Sequence, residues 1–168
     1  MKIEDWEPGM ALKGSVSATR RIGFPMRLAQ WYAEREAQAG RRADWHKKLA
    51  PLGAVLRRYA ETMKPDPVTK SPMLTVTELH GPQDALTGYR VDVFNGPMLT
   101  FKLSDNADVV NVSGFDDQYP NMKIRDIAPA SDDDVQLHFT RTRHKVDQSY
   151  SLTASALIQG RLEDGLHA

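Results

Sequence analysis

The chain contains no cysteine. That single absence removes disulfides, cysteine-ligated zinc, iron–sulfur clusters and thiol catalysis together. Long apolar runs are also missing, and nothing approaches the roughly 18 residues that a membrane-spanning helix requires. The first seven residues hold Glu4, Asp5 and Glu7 and lack the apolar core of a secretory leader. The expectation is a cytoplasmic protein, although a chain exported through an uncleaved signal would look the same. Three chemical signatures are absent as well: a glycine-rich phosphate loop ending in Lys-Ser/Thr, a nucleophile elbow, and a helical His-Glu-x-x-His. The enzyme classes built on those motifs are therefore disfavoured, and no cofactor is expected.

At 168 residues the chain can bury roughly 70% of the surface it exposes when unfolded, so it needs no covalent staple. One domain over 1–168 is expected. Its formal charge is zero, but the balance hides a dipole. Residues 1–70 carry 14 Lys and Arg against 8 Asp and Glu, a formal +6, and residues 71–168 carry 8 against 14, a formal −6. Such asymmetry marks either a binding surface or two parts that neutralise each other on packing, and the second explanation is favoured.

Residues 1–24 read as an arm, with weak alternation over 11–19 that suits an edge strand despite Gly14. From Pro25 the period becomes helical. Pro25 suits a first turn, Leu28, Trp31 and Tyr32 form an apolar stripe, and Gly40 is a natural stop. Asp44 is then a candidate N-cap for a second helix. Trp45, Leu49, Leu52, Leu56, Tyr59 and Met63 follow at spacings of 4, 3, 4, 3 and 4, all on one helical face. Pro51 kinks or restarts this helix. The helical part is thus 25–63, read as a hairpin of two helices, and the proline-rich stretch 64–72 ends it.

Beyond the linker the period becomes two. Candidate strands are 73–80, 88–95, 98–104, 109–113, 122–127, 135–143 and 150–158, with turn residues between them. The short connections favour an antiparallel meander. The expected class is α+β: a helical hairpin packed on a meander of about six or seven strands over 73–160, strongly curved and cone- or barrel-like by analogy of element order, followed by a tail, 161–168.

The candidate sites are correspondingly general. Arg41, Arg42, Lys47, Lys48, Arg57 and Arg58 could line one basic face of the hairpin. With acidic turns at 105–108, 116–117 and 132–134, they suit a non-catalytic protein–protein interaction module, of adaptor, inhibitor or immunity type. The partner would be another protein, or a second copy held by opposite charges. Membrane binding is not expected. The alternative is a small-ligand binder or enzyme with a pocket between sheet and helices, drawing on His80, Tyr89, Asp92 and His138, with Glu78 beside Asp92 if the register allows. Nucleic-acid binding by the basic hairpin ranks third. The five histidines are too scattered to suggest a metal site. Trp31, Tyr32 and Trp45 are expected in the core.

Overall fold

The computed structural model describes residues 18–114, 122–131 and 133–167, with side chains from residue 23 onward. One helix, α1 (Ala18–Thr62), precedes seven strands and a closing helix. The strands are β1 (Leu74–His80), β2 (Leu86–Val93), β3 (Leu99–Leu103), β4 (Val110–Ser113), β5 (Met122–Ser131), β6 (Asp134–Arg143) and β7 (Val146–Thr153), and the closing helix is α2 (Ala154–Leu166). The class is α+β. The seven strands form one antiparallel sheet in chain order, with β1 and β7 as its free edges.

The expected helical hairpin is replaced by a single continuous helix. Gly40 does not stop it, Asp44 does not cap a second one, and Pro25 and Pro51 both lie inside it. An interior proline removes the bond to the carbonyl four residues back and costs about 3 kcal/mol. Against this, Trp45, Leu49, Leu52, Val55 and Leu56 are all buried. At about 1.5–3 kcal/mol for each large apolar side chain, their burial outweighs the penalty of Pro51. Residues 18–40 are rich in Ala, Arg, Gln and Glu, all strong helix formers, which offset the roughly 1 kcal/mol penalty of Gly40. The edge strand expected over 11–19 falls outside the described residues except at Ala18 and Thr19, which are helical.

The sheet is open, so the barrel analogy does not hold: β1 and β7 would have to pair to close it. Strand alternation sends Tyr89, Val91, Phe101, Leu103, Val110, Val112, Ile124, Leu137 and Phe139 to one face. There they form one cluster with the stripe of α1 and with Leu157, Ile158 and Leu162 of α2. Both helices therefore cover the same face, and no described helix or strand covers the other.

The last expected strand, 150–158, is half strand and half helix. Tyr150 and Leu152 belong to β7, whereas Ala154, Leu157, Ile158 and Leu162 form the buried stripe of α2. Alternation continues over these residues by coincidence with helical spacing, and the capping decides the outcome. Thr153 accepts a hydrogen bond from the Ala156 N–H at 3.1 Å, and Asp134 at the start of β6 accepts one from the Ser155 N–H at 3.2 Å. These satisfy two N–H groups that a helix start leaves unpaired. The expected tail, 161–168, is largely the second half of α2.

The chain divides into two compact units, Met1–Arg42 and Ala43–Ala168. In the second, Gly53 sets how closely α1 approaches the sheet. A Cβ at this position would lie 2.2 Å from the Tyr89 hydroxyl oxygen and 2.5 Å from its ring. Tyr89 is 1% exposed and donates its hydroxyl proton to the Leu49 carbonyl at 2.9 Å. A buried hydroxyl without a partner would cost about 1–3 kcal/mol, so this bond fixes the ring against the helix.

Two glycine substitutions in the same helix should therefore have opposite signs. Gly53→Ala should destabilise the fold by about 1–3 kcal/mol through overpacking, despite its gain in helix propensity. Gly40 has nothing within 4 Å of a built Cβ, so Gly40→Ala should stabilise by up to about 1 kcal/mol. Urea unfolding of both variants checks the pair, and a destabilising Gly40→Ala would argue for a break in the helix there.

Candidate functional site

Lys48 and Arg57 are nine residues apart, so at about 100° per residue they leave α1 from opposite flanks. Lys48 Nζ lies 2.8 Å from Asp126 Oδ1 on β5, and Arg57 pairs with Glu78 on β1. Arg58 completes the set, 3.2 Å from Asp133 Oδ1 at the β5–β6 turn. Lys48 also lies over the Trp45 ring at 5.1 Å, and Arg57 over the Tyr89 ring at 5.8 Å. Cations on both flanks of the apolar stripe thus meet acids of the sheet beneath. Three of the six candidate basic residues are engaged in this way. This is internal neutralisation, and it accounts for part of the charge dipole.

The other three differ. Arg41 pairs with Glu34 within the helix at 3.2 Å, and Arg42 is half-buried on α1. Lys47 is exposed and lines a groove. This groove follows the side of α1 from Asp44 to Thr62, with the β5–β6 hairpin as its other wall. It contains cavities of about 560, 180 and 400 Å³, the last reaching Ser155 at the start of α2. Lys47, Lys48 and Arg58 supply its positive side, and Asp133 and Asp134 its negative side.

None of the four residues expected to build a pocket lines these cavities. Tyr89 is in the core, and burial pushes its hydroxyl above the ordinary tyrosine value, so it stays protonated as the donor to Leu49. His80 sits at the end of β1, 3.3 Å from Glu78 and 3.1 Å from the Asp84 carbonyl. His138 faces Ser151 on β7 at 3.4 Å. Asp92 pairs with Arg90 on its own strand at 3.3 Å. The register opposes Asp92 to Thr75 and Glu78 to Tyr89. Glu78 therefore faces α1 while Asp92 faces away, and the two cannot act as an acid–base pair. Among the described residues no group of three His, Asp or Glu side chains is placed to hold a metal ion.

One further expectation changes. Trp31 and Tyr32 are 55% and 46% exposed, whereas Trp45 alone of the three aromatics is in the core. Arg141 is buried beside Gln148 and Tyr150, and Lys145 forms the two-residue turn with His144, both at positive φ. Comparison with known protein families, with curated proteins and with solved structures found no match.

Hydrogen bonding from Lys48 holds the Asp126 carboxyl below the usual carboxylate range, against an opposing effect of desolvation. A carboxyl whose value is lowered by folding contributes stability above its unfolded value, near pH 4, and loses it as pH falls through the folded value. The pair is half-exposed, so the contribution should be about 1 kcal/mol or less. Asp126→Asn should accordingly lower Tm slightly at pH 7, and the gap from the unsubstituted protein should narrow as pH falls below the ordinary carboxylate value near 4. Thermal melts across this range provide the check.

Proposed function

We propose that the chain is a non-catalytic protein-interaction module that grips its partner through residues 23–42 of α1. The observation that carries this reading is the exposure of Met26, Trp31 and Tyr32, at 64%, 55% and 46%, on a helix that also bears Arg27, Arg35 and Arg41. Trp, Tyr, Met and Arg are the residue types enriched at interface centres, where they carry most of the binding energy. The Trp31 and Tyr32 rings meet edge to face with centroids 5.2 Å apart, and Arg35 lies 5.5 Å from the Trp31 centroid. Side chains held in this way lose less freedom on binding. The matching partner surface is an apolar groove with an acidic rim, which receives the helix by Leu28, Trp31 and Tyr32 at i, i+3 and i+4. The ion pairing of Lys48, Arg57 and Arg58 within the fold supports placing the binding surface on this stretch, which keeps only Arg41 and Arg42 of the basic set. A cytoplasmic site of action, in keeping with the absence of cysteine, belongs to the same proposal.

The second reading is a small ligand in the groove beside α1. Its 560 Å³ cavity is within the size range of ligand sites, but four charged residues, Asp44, Lys47, Lys48 and Asp134, stand in its wall where such sites carry few.

The test is capture of the partner from native lysate by the tagged protein, at low and moderate salt, beside a Trp31→Ala/Tyr32→Ala variant. A stoichiometric partner should bind the unsubstituted chain and be lost from the variant, with affinity lowered by more than about 30-fold. Both side chains are exposed, so the variant should melt with the parent. A partner retained by the variant would contradict the reading. Absence of any partner, together with a metabolite that raises Tm, would favour the groove.

A further inference from the structure

The solvent face of the sheet carries a feature that only the strand register brings together. Opposed residues line up across six strands as Gly88, Lys102, Asn111, Lys123, Thr140 and Ser149. Every side chain of this row points away from the helices, because the neighbouring rows hold the buried core. One step along on the same face lie Arg90, Thr100 and Ser113. Arg125 lies next to Thr140 and donates to its hydroxyl at 3.0 Å.

Four cations from three strands thus share the face. Arg90 and Lys102 are diagonal neighbours, about 7–8 Å apart by sheet geometry. Lys102 and Lys123 are separated by one strand, hence by about 9–10 Å. Arg90 and Arg125 have partners in Asp92 and Thr140. Lys102 and Lys123 have no ion-pair or hydrogen-bond partner among the described residues. The strand acids do not balance them: Glu78 and Asp126 meet α1, and the two acids on this face, Asp92 and Asp147, are engaged by Arg90 and Thr142. The strand-rich half of the chain is acidic in total, yet most of its acids lie in turns, in α2 or against α1, and the open face carries four cations against Asp92 and Asp147.

We propose that this face binds duplex nucleic acid through the phosphate backbone. Phosphate is contacted by Lys and Arg together with Ser, Thr and Asn, which is the composition of these rows. A duplex offers about one negative charge per 1.7 Å of axis, so cations spaced at 7–10 Å find phosphates without a fixed register. An acidic protein would require an apolar centre to anchor it, and a single strand would require aromatic rings on which its bases stack. The two rows contain neither. Binding is therefore independent of base sequence, and it is separate from the surface on residues 23–42.

The experiment is fluorescence anisotropy of a labelled 24-base-pair DNA duplex with the full chain. Three to four phosphate contacts should weaken binding by about 40- to 150-fold between 50 and 200 mM salt. Lys102→Gln/Lys123→Gln should reduce the slope of log K against log salt by about 2. Lys64→Gln/Lys70→Gln, with the same change of net charge at exposed positions in the connection between α1 and β1, should leave the slope unchanged. Polyglutamate at equal charge concentration should displace the duplex poorly. The proposal is overturned by absence of binding at 50 mM salt, by an unchanged slope in the Lys102/Lys123 variant with a parental melting curve, or by equal displacement with polyglutamate.

Discussion

The contact between Gly53 and Tyr89 is the constraint on which the packing of the second unit depends. A helix lies this close to a sheet only where one side chain is missing, and the space left by the Gly53 hydrogen is filled by the Tyr89 phenol. The phenol then donates to the Leu49 carbonyl, one helical turn earlier. Ring, glycine and carbonyl fix the height and rotation of α1 over β2. Once that rotation is set, Trp45, Leu52 and Leu56 enter the core, and Lys48 and Arg57 fall on the two flanks, where Asp126 and Glu78 meet them. The ion pairs follow from the packing; half-exposed pairs of this kind are worth too little to impose it.

This geometry gives the charge pattern a physical meaning. A basic helix on a sheet with acidic turns is neutral as a whole, and part of its attraction is satisfied internally. What remains on the surface is sorted by face. The solvent side of the sheet keeps Lys102 and Lys123, the turns keep their aspartates, and residues 23–42 of α1 keep arginines beside exposed aromatics.

Six of the seven strands and their antiparallel sense were legible in the sequence, because alternation, turn residues and short connections mark such a sheet directly, whereas strand order and register were not. The helices were harder. Gly40 and Pro51 are strong local signals for breaks, but the burial of five large side chains across Pro51 outweighs them, and sequence alone does not weigh tertiary burial against local preference. The segment 150–158 satisfied both periods, and the deciding bond runs from Ser155 to Asp134, 21 residues away. Trp31 and Tyr32 looked like core because their spacing is helical, yet spacing says only that they share a face and not that anything covers it. Lys102 and Lys123 were invisible as a pair, since only the register across β3, β4 and β5 brings them into one row.

α1 is one helix in two environments: residues 45–62 anchor the core, and residues 23–42 carry exposed aromatic and basic side chains, the surface proposed for a partner. Hydrogen exchange resolved along α1 tests this most directly. The account predicts protection close to the global stability over residues 45–62, with much weaker protection over 23–39 that still falls off gradually through residue 40, because burial sets the cost of local opening. Uniform protection along the whole helix would show that residues 23–42 are buried against something. A sharp loss confined to residues 39–43, with strong protection on both sides, would show two helices joined at Gly40.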